Sequence, residues 1–302
     1  MYRTIDFRMT SPGLEASTGG SGNTAGVQGP LDSHAIAFVT CVDDEAQYAT
    51  CLRYIDALHI PPGYAVEKVA IIGATSVADG YQRAMETSSA RYKIYVHQDV
   101  YLVHRGLLRE LVHLFGTYPR LGMLGVVGTI RMPAKGIWWV NKFSCYGRLW
   151  EYRRESGFPG SLFGRRLHFN RFHSFAGDYL PAVSADGLFM ATQYDIPWIN
   201  PLGGFLLYDQ VQAAEFIKAG LEVGIARQEA VWCLHWGRLQ ERSPDQNTRR
   251  DLELHDKAAE FRRLYRAFIG LPARSLYEQH RGAAPWRQSW AAEAPARGEG
   301  TS

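Results

Sequence analysis

The sequence predicts an α/β protein whose central sheet is mostly parallel and is flanked by helices. The first observation is an alternation of short apolar runs with amphipathic segments between residues 34 and 130. The second is that polar and acidic side chains directly follow several of these runs. Strands that alternate with helices form parallel sheets through right-handed crossovers, and ligands bind beyond the carboxyl ends of such strands. We therefore expect functional residues just after Thr40, Gly73 and Val96.

Strands and helices alternate regularly through the first half of the chain. The predicted strands are 34–40, 66–73, 92–98 and 121–130, and the predicted helices are 45–58, 77–88 and 106–118. The first helix has apolar side chains at helical spacing, and Asp43 or Asp44 stands where an N-cap is needed. A Pro-Pro-Gly sequence then separates that helix from the second strand.

Beyond residue 130 the alternation is less regular. Residues 136–180 are rich in aromatic and arginine side chains, which suits long strands and loops. Further predicted strands are 184–192, 221–226 and 232–236, and a predicted helix covers 209–219 and ends at Gly220. A last amphipathic helix carries five apolar side chains on one face, namely Leu254, Ala258, Phe261, Tyr265 and Phe268.

The composition also predicts how the chain is divided. Residues 11–30 are rich in Gly, Ser and Thr, and the last residues are rich in Ala, Pro, Arg and Gly. Such segments bury too little apolar surface to offset the entropy of ordering them. We predict a flexible leader (1–31), one α/β domain (32–245), a C-terminal helical extension (246–281) and a disordered tail (282–302).

Several classes of protein are disfavoured by composition. A formal charge of +3 over 302 residues gives no reason to expect nucleic acid as a partner. The four cysteines show no CxxC spacing, which argues against a disulfide framework or a thiolate zinc site. No export signal is visible, and no apolar run reaches the roughly 20 residues that span a bilayer. We expect a cytoplasmic protein without a transmembrane segment.

The sharpest local signal is His97-Gln98-Asp99, which directly follows a predicted central strand. Residues two apart in an extended chain point to the same side, so His97 and Asp99 could both face a ligand. Hard divalent cations prefer oxygen ligands and commonly share them with substrate phosphates. The alternative is that Asp99 caps a turn and His97 is packed against the core.

Three further polar residues have two interpretations each. Asp209 could be a general base, but with Gln212 three residues later it also matches the capping box that opens a helix. His235 could be a ligand or a satisfied core histidine. Asp186 could bind a sugar hydroxyl or start the turn at Gly187.

Motifs of other enzyme classes are absent from the sequence. No GxGxxG follows a strand, and neither a GxxxxGK[ST] loop nor a GxSxG elbow nor HExxH occurs. Dehydrogenases, P-loop kinases and α/β-hydrolases are therefore disfavoured.

The order of the remaining motifs resembles that of GT-A glycosyltransferases of the family-2 type. FVTCVDDE (38–45) is similar to the first strand and turn of that family, and residues 73–100 are similar to the stretch ending in its metal-binding Asp-x-Asp. Residues 184–192 and 205–225 are similar to its acceptor-side strand and to the acidic motif opening the next helix. A narrower resemblance, over about residues 34–240, is to the glycosyltransferase-like domain of streptomycin-type aminoglycoside biosynthesis proteins. It rests on CLRYIDAL, GATS, HQDV, FIKAG and RQEAVWCLHW.

The resemblance implies a GT-A fold, a nucleotide-diphosphate sugar as donor and a divalent cation, Mn²⁺ or Mg²⁺. It implies that Asp99 is the main metal ligand, with His97 and His235 as further ligands. Asp209 would be the base of an inverting transfer to a hydroxyl or amine of a small-molecule or glycan acceptor. The side chains it implies for binding the donor or a sugar are Cys41, Asp43, Glu45, Gln82 and Asp186.

Two positions depart from the family pattern. His97 replaces the first Asp of the Asp-x-Asp pair, and Gly73-Ala74 replaces the acidic pair that typically reads uracil. Imidazole is a weaker ligand than carboxylate for Mg²⁺ but suits Mn²⁺ or Zn²⁺. A second hypothesis is therefore a non-catalytic module that binds nucleotides or carbohydrates. A third, a nucleotide-sugar epimerase, is disfavoured because the dinucleotide fingerprint is missing.

The C-terminal helix carries a group of arginines, Arg249, Arg250, Arg262, Arg263 and Arg266. We interpret them as a solvated face. Weak contact with a membrane surface through this basic helix is the alternative, which salt-sensitive binding to liposomes would support.

Overall fold

The computed structural model describes residues 1–9, 30–154, 165–237 and 243–282 of the chain. The strands in these residues are β1 (Tyr2–Asp6), β2 (Asp32–Val42), β3 (Ala65–Ile72), β4 (Ala90–Val96), β5 (Val100–Leu102), β6 (Leu121–Gly125), β7 (Val127–Thr129), β8 (Cys145–Arg154), β9 (Arg165–Arg171), β10 (Tyr179–Ala182), β11 (Ser184–Ala185), β12 (Phe189–Thr192), β13 (Glu222–Ala226) and β14 (Cys233–His235). The α-helices are α1 (Glu45–Asp56), α2 (Val77–Thr87), α3 (Leu107–Thr117), α4 (Tyr208–Lys218), α5 (Pro244–Leu264) and α6 (Ala273–His280). Short 3-10 helices cover Phe7–Met9, Trp138–Val140, Lys142–Ser144 and Arg266–Phe268.

The larger of two sheets has the strand order β1-β3-β2-β4-β12-β6-β13-β10. Its central strands β2 and β4 carry mainly apolar side chains where both faces are covered, as at Phe38 and Ile94, which are at most 1% exposed. Four of the seven strand pairings are parallel and three are antiparallel. The sheet is thus mixed, because β12 returns antiparallel between β4 and β6.

The smaller sheet has the order β11-β7-β8-β14-β5, with β9 paired to β8. The prediction of a single strand over residues 121–130 is wrong, because these residues form β6 and β7 in different sheets. The carbonyl of Val126 accepts hydrogen bonds from the Arg148 amide (3.2 Å) and the Gln228 side chain (2.8 Å), and there the chain passes from β6 to β7 in the other sheet. The predicted strand 184–192 divides in the same way, into β11 and β12.

Helix caps explain where several helices begin. Asp44 caps α1 by accepting a hydrogen bond from the Gln47 amide at 3.0 Å, as the sequence predicted. Helix α4 begins differently from the prediction, because Leu207 is its N-cap and Asp209 lies in its first turn. The predicted capping box is therefore wrong, and the Gln212 side chain donates to the Ile196 carbonyl at 2.8 Å instead.

The chain termini take part in the fold more than the sequence predicted. Strand β1 pairs in parallel with β3, so the prediction of a flexible leader is wrong for Tyr2–Asp6. The rest of that predicted leader, 10–29, and nearly all of the predicted tail, 283–302, lie outside the described residues.

The C-terminal helices pack on the same hydrophobic core as the sheets. Phe261 and Leu276 are fully buried in that core. The Tyr277 hydroxyl lies between β10 and β13 and donates to the carbonyl of Ala182 or Val223, at 2.5 and 2.6 Å. No helix in the described part of the chain is long and apolar enough to cross a membrane.

Candidate metal and catalytic site

The candidate site lies where the chain passes between the two sheets. His97 and Asp99 lie in the connection from β4 of the large sheet to β5 of the small one, and Asp186 lies in the connection from β11 to β12. The His97 amide donates to the Leu188 carbonyl at 3.1 Å, and the Trp236 amide donates to the Asp99 carbonyl at 2.8 Å. These backbone bonds fix the connections against each other and against the end of β14.

Three potential metal ligands converge where these connections between the two sheets meet, a place that we call the seam. His97, Asp99 and His235 each offer one ligand atom, and these atoms lie within 4.8 Å of one another. The Nε2 atom of His235 is 3.5 Å from Oδ2 of Asp99. In the described part of the chain no other group of three His, Cys, Asp or Glu side chains is arranged in this way. Two imidazoles and a carboxylate fit a divalent transition cation such as Mn²⁺ or Zn²⁺ better than Mg²⁺.

The electrostatics of the cluster favour a cation. Burial acts to raise the pKa of Asp99, but the hydrogen bond from His235 and the charges of both imidazoles outweigh it, so that pKa is lowered. Burial acts to lower the pKa of His235, but Asp99, Asp186 and Glu151 more than compensate, so that pKa is raised. Three carboxyl groups thus act on one half-buried imidazole, and a divalent cation would neutralise their charge.

Each histidine also contacts a side chain that can orient its ring. Nε2 of His97 lies 2.5 Å from the Tyr208 hydroxyl. Nδ1 of His235 lies 4.0 Å from Oε1 of Glu151, whose other oxygen accepts a hydrogen bond of 2.6 Å from Asn170. Hydrogen bonds such as that between His97 and Tyr208 set the tautomer and direction of metal-binding histidines, whereas Glu151 acts on His235 through its charge. Sequence reasoning missed Tyr208 and Glu151, although Tyr208 immediately precedes a predicted site residue.

Asp186 lies in the turn between β11 and β12, on the same seam. Its amide donates to the Val127 carbonyl at 2.8 Å, and its carboxylate accepts from the Leu188 amide at 3.0 Å, so it does form the turn that was the alternative interpretation. Burial raises the pKa of Asp186, although the Leu188 amide and the imidazoles of His97 and His235 oppose this. Asp186 is half-buried, which leaves part of its surface accessible.

Asp209 is more deeply buried, with 6% of its surface exposed. One carboxylate oxygen accepts hydrogen bonds from the Trp138 indole (3.0 Å) and the Gly187 amide (3.2 Å), and the other from the Gln210 amide (2.9 Å). Burial and the nearby charge of Asp186 raise the pKa of Asp209 to about 7. Asp209 therefore holds the Asp186–Gly187 turn in place and can exchange a proton near neutral pH.

The residues that the resemblance assigns to the nucleotide lie at the carboxyl end of β2 and the start of α1. Asp43 and Glu45 are exposed, while burial raises the pKa of the Cys41 thiol to about 12. The side-chain oxygen of Gln98 accepts from the amides of Asp43 (2.9 Å) and Asp44 (3.0 Å), and its amide donates to the Asp43 carboxylate. Gln98, which sequence reasoning passed over, thus links this turn to the seam.

Gln82 lies on α2 and is engaged elsewhere. Its oxygen accepts a hydrogen bond of 2.7 Å from the Trp198 amide, and its nitrogen donates to Glu86 at 2.8 Å. None of the hydrogen bonds seen among the described residues joins the Gln82 side chain to the metal cluster.

The comparison with known families decides the class of this protein. A family model described as a glycosyltransferase-like family matches residues 37–255, well over half of the chain. The chain belongs to this glycosyltransferase-like family. The membership confirms the predicted α/β fold of the GT-A kind, with the mixed sheet described above.

Solved structures with some similarity to the chain include a mannosyltransferase. One is the mannosyltransferase PcManGT from Pyrobaculum calidifontis in complex with GDP-Man and Mn²⁺, with 12% identity, coverage of 87% of this chain and 86% of that chain, and a TM-score of 0.39. Another is S. aureus TarS 1-349 in complex with UDP-GlcNAc, with 9% identity, coverage of 68% and 59%, and a TM-score of 0.41. This chain therefore spans less than two thirds of that TarS chain. No significant match was found among curated protein sequences.

Proposed function

We propose that this glycosyltransferase-like protein transfers a sugar from a nucleotide-diphosphate donor to an acceptor hydroxyl or amine. The observation that carries the proposal is the convergence of His97, Asp99 and His235 within 4.8 Å in a member of this family. A divalent cation bound there would neutralise the charge that develops on the leaving diphosphate. His97 and His235 would hold it through imidazole nitrogens and Asp99 through its carboxylate.

Asp209 is our candidate for the base that takes the acceptor proton. A base whose pKa lies close to 7 is well matched to proton transfer at neutral pH, and the pKa of Asp209 is about 7. Direct attack by the activated acceptor at the anomeric carbon would invert the configuration. Asp186 would contact the donor or acceptor sugar. It is half-buried, and the amide of the next residue, Gly187, donates a hydrogen bond to Asp209.

The nucleotide would lie over the turn after β2. Asp43 and Glu45 are exposed there, and Gln98 couples this turn to the metal cluster. Cys41 would lie against the base or ribose as a neutral thiol. Gln82, which lies on α2, would contribute to binding of the donor. The donor could be any of several nucleotide sugars, since the acidic pair typical for uracil is replaced at Gly73-Ala74.

Three finer assignments belong to this proposal. We propose a cytoplasmic location, a small-molecule or glycan acceptor, and a relationship to the domain found in streptomycin-type aminoglycoside biosynthesis proteins. Weak contact of the arginine-bearing helix α5 with membranes also stays a proposal, although Arg263 of that helix is paired with Glu260.

The test is donor turnover by the purified protein with Mn²⁺ over a panel of nucleotide sugars and acceptors. We expect turnover by the natural protein and its loss in Asp99→Ala. Turnover that persists unchanged in Asp99→Ala would contradict the assignment. The replacement of an acidic residue by His97 favours a second candidate, a non-catalytic binding module. Calorimetry that detects nucleotide binding without hydrolysis or transfer for any acceptor would support that module instead.

A further inference from the structure

A cluster of exposed apolar side chains lies beside the candidate site. Trp139, Val140 and Phe143, which we call the aromatic lip, are 39%, 44% and 86% exposed. They lie within five consecutive residues, on two short 3-10 helices. Exposed apolar residues that occur singly need no explanation, but a contiguous group of them marks an interaction surface.

Hydrogen bonds join the backbone of the lip to the fold beneath it. The Asn141 side chain accepts a hydrogen bond of 3.2 Å from the Phe143 amide, and the Asn141 carbonyl accepts one of 3.1 Å from the Ser144 amide. The Ser144 hydroxyl in turn lies 3.0 Å from the hydroxyl of Thr129 on β7. The backbone of Phe143 is thus fixed on both sides, so the exposure of its ring is a property of the folded protein.

The lip is joined directly to the candidate site. The ring of Trp139 packs edge-on against Trp138, with centroids 5.6 Å apart and an interplanar angle of 84°. Trp138 is buried and donates its indole hydrogen bond to Asp209. The lip therefore marks the Asp209 end of the site rather than the nucleotide end.

The charged Lys and Arg side chains that flank the lip in the sequence are accompanied by no acidic ones. Residues 111–150 contain no Asp or Glu, and Arg131, Lys135 and Lys142 are exposed among them. Protein–protein interfaces are enriched in aromatic residues and Arg but depleted in Lys, so it is the two lysines that distinguish this surface from a protein interface. Aromatic and aliphatic side chains surrounded by basic ones are typical of surfaces that enter the headgroup region of anionic bilayers.

We propose that the aromatic lip docks on an anionic membrane surface. Phe143, Val140 and Trp139 enter the boundary between headgroups and acyl chains, while Lys135 and Lys142 contact anionic headgroups. The proposal does not rest on sugar transfer, because it concerns binding alone. Together with the proposed function, it turns the Asp209 end of the site toward the bilayer.

Co-sedimentation of the full chain with vesicles tests this docking. Vesicles of phosphatidylcholine with phosphatidylglycerol should retain the protein at low salt, and vesicles of phosphatidylcholine alone should not. Burying one phenylalanine stabilises binding enough that Phe143→Ser should lower the partition coefficient about tenfold. The double variant Lys135→Glu with Lys142→Glu should lower the partition coefficient on the anionic vesicles at least about tenfold, since each basic side chain contributes about 1 kcal/mol near an anionic surface. Ile60→Ser is the matched control, because Ile60 is also exposed, at 53%, but lies between α1 and β3.

Three results would overturn the proposal. The first is equal retention, or none, on both kinds of vesicle. The second is a partition coefficient that Phe143→Ser leaves unchanged while circular dichroism shows a folded protein. The third is a change of oligomeric state or of soluble-acceptor turnover in Phe143→Ser without any change in vesicle binding, since the lip would then serve a second copy of the chain or the acceptor.

Discussion

Replacing Trp138 by Phe should shift the pH at which the proposed sugar transfer sets in. The indole of Trp138 donates a hydrogen bond of 3.0 Å to the buried carboxylate of Asp209, whose pKa is about 7. A donor to a carboxylate stabilises its charged form, so removing the donor raises the pKa. A hydrogen bond to a charged group contributes about 1.5–3 kcal/mol, which corresponds to about 1–2 pKa units.

The expected consequence follows from the fraction of Asp209 that is ionised. In its proposed role as the base, Asp209 acts in its ionised form, so kcat/KM should rise with pH through the pKa of Asp209. In Trp138→Phe this rise should move from about pH 7 to about pH 8–9, and activity at pH 7 should fall at least about fivefold. At pH 9 or above the variant should recover much of its activity. Trp139→Phe, which alters the neighbouring ring and leaves the indole bond of Trp138, should keep the original profile.

The same substitution has a readout that does not need turnover. Folding raises the pKa of Asp209 from 3.8 to about 7. Its contribution to the free energy of unfolding is therefore full below about pH 4 and is lost as pH rises through about 7. In Trp138→Phe this loss should continue to about pH 8–9, as measured by denaturant unfolding relative to the natural protein. A rate profile that stays in place, or moves to lower pH, would refute the reasoning about Asp209.

Three further substitutions test contacts around the site and the core. Glu151→Gln should weaken Mn²⁺ binding about tenfold by calorimetry, because it removes the charge that faces Nδ1 of His235. Gly187→Ala should destabilise the protein by about 1–3 kcal/mol in denaturant unfolding, since a Cβ there would lie 2.3 Å from the Tyr208 hydroxyl. Tyr277→Phe should lower the free energy of unfolding by about 1–2 kcal/mol, because its hydroxyl bonds to the backbone of two strands.

Matched controls accompany the first two of these substitutions. Glu229→Gln changes an exposed carboxylate that pairs with Arg227, and it should leave Mn²⁺ affinity unchanged. Gly116→Ala adds a methyl group within α3 where no atom lies within 4 Å, so it should not destabilise the protein. Equal effects of Glu151→Gln and Glu229→Gln, or of the two glycine substitutions, would contradict these structural explanations. A Tyr277→Phe protein as stable as the natural one would contradict the role given to the Tyr277 hydroxyl between β10 and β13.

Much of the fold could be predicted from the sequence, because its signals are local. The apolar runs of β2 and β4 and the Asp44 cap of α1 follow from periodicity and capping alone. The division of residues 121–130 between two sheets could not be predicted, since it depends on Arg148 and Gln228, which are distant in sequence.

The candidate site could be predicted only in part, for the same physical reason. His97 and Asp99 adjoin a recognisable strand. His235 was predicted as a ligand only from the resemblance in the order of motifs. Their partners Tyr208 and Glu151 reach them through the packing of α4 and β8, and no local sequence pattern predicts that packing. The sequence also suggested that Asp209 caps its helix, whereas the folded chain uses its carboxylate to hold Trp138 and the turn at Gly187.

The central claim is that His97, Asp99 and His235 hold one divalent cation, and Mn²⁺ binding tests it most directly. Electron paramagnetic resonance and calorimetry should detect one Mn²⁺ per chain in the presence of a nucleoside diphosphate. Alanine at any of the three positions should weaken binding by about tenfold or more, while the protein stays folded by circular dichroism. Mn²⁺ affinity that is unchanged in His97→Ala and His235→Ala would contradict the claim.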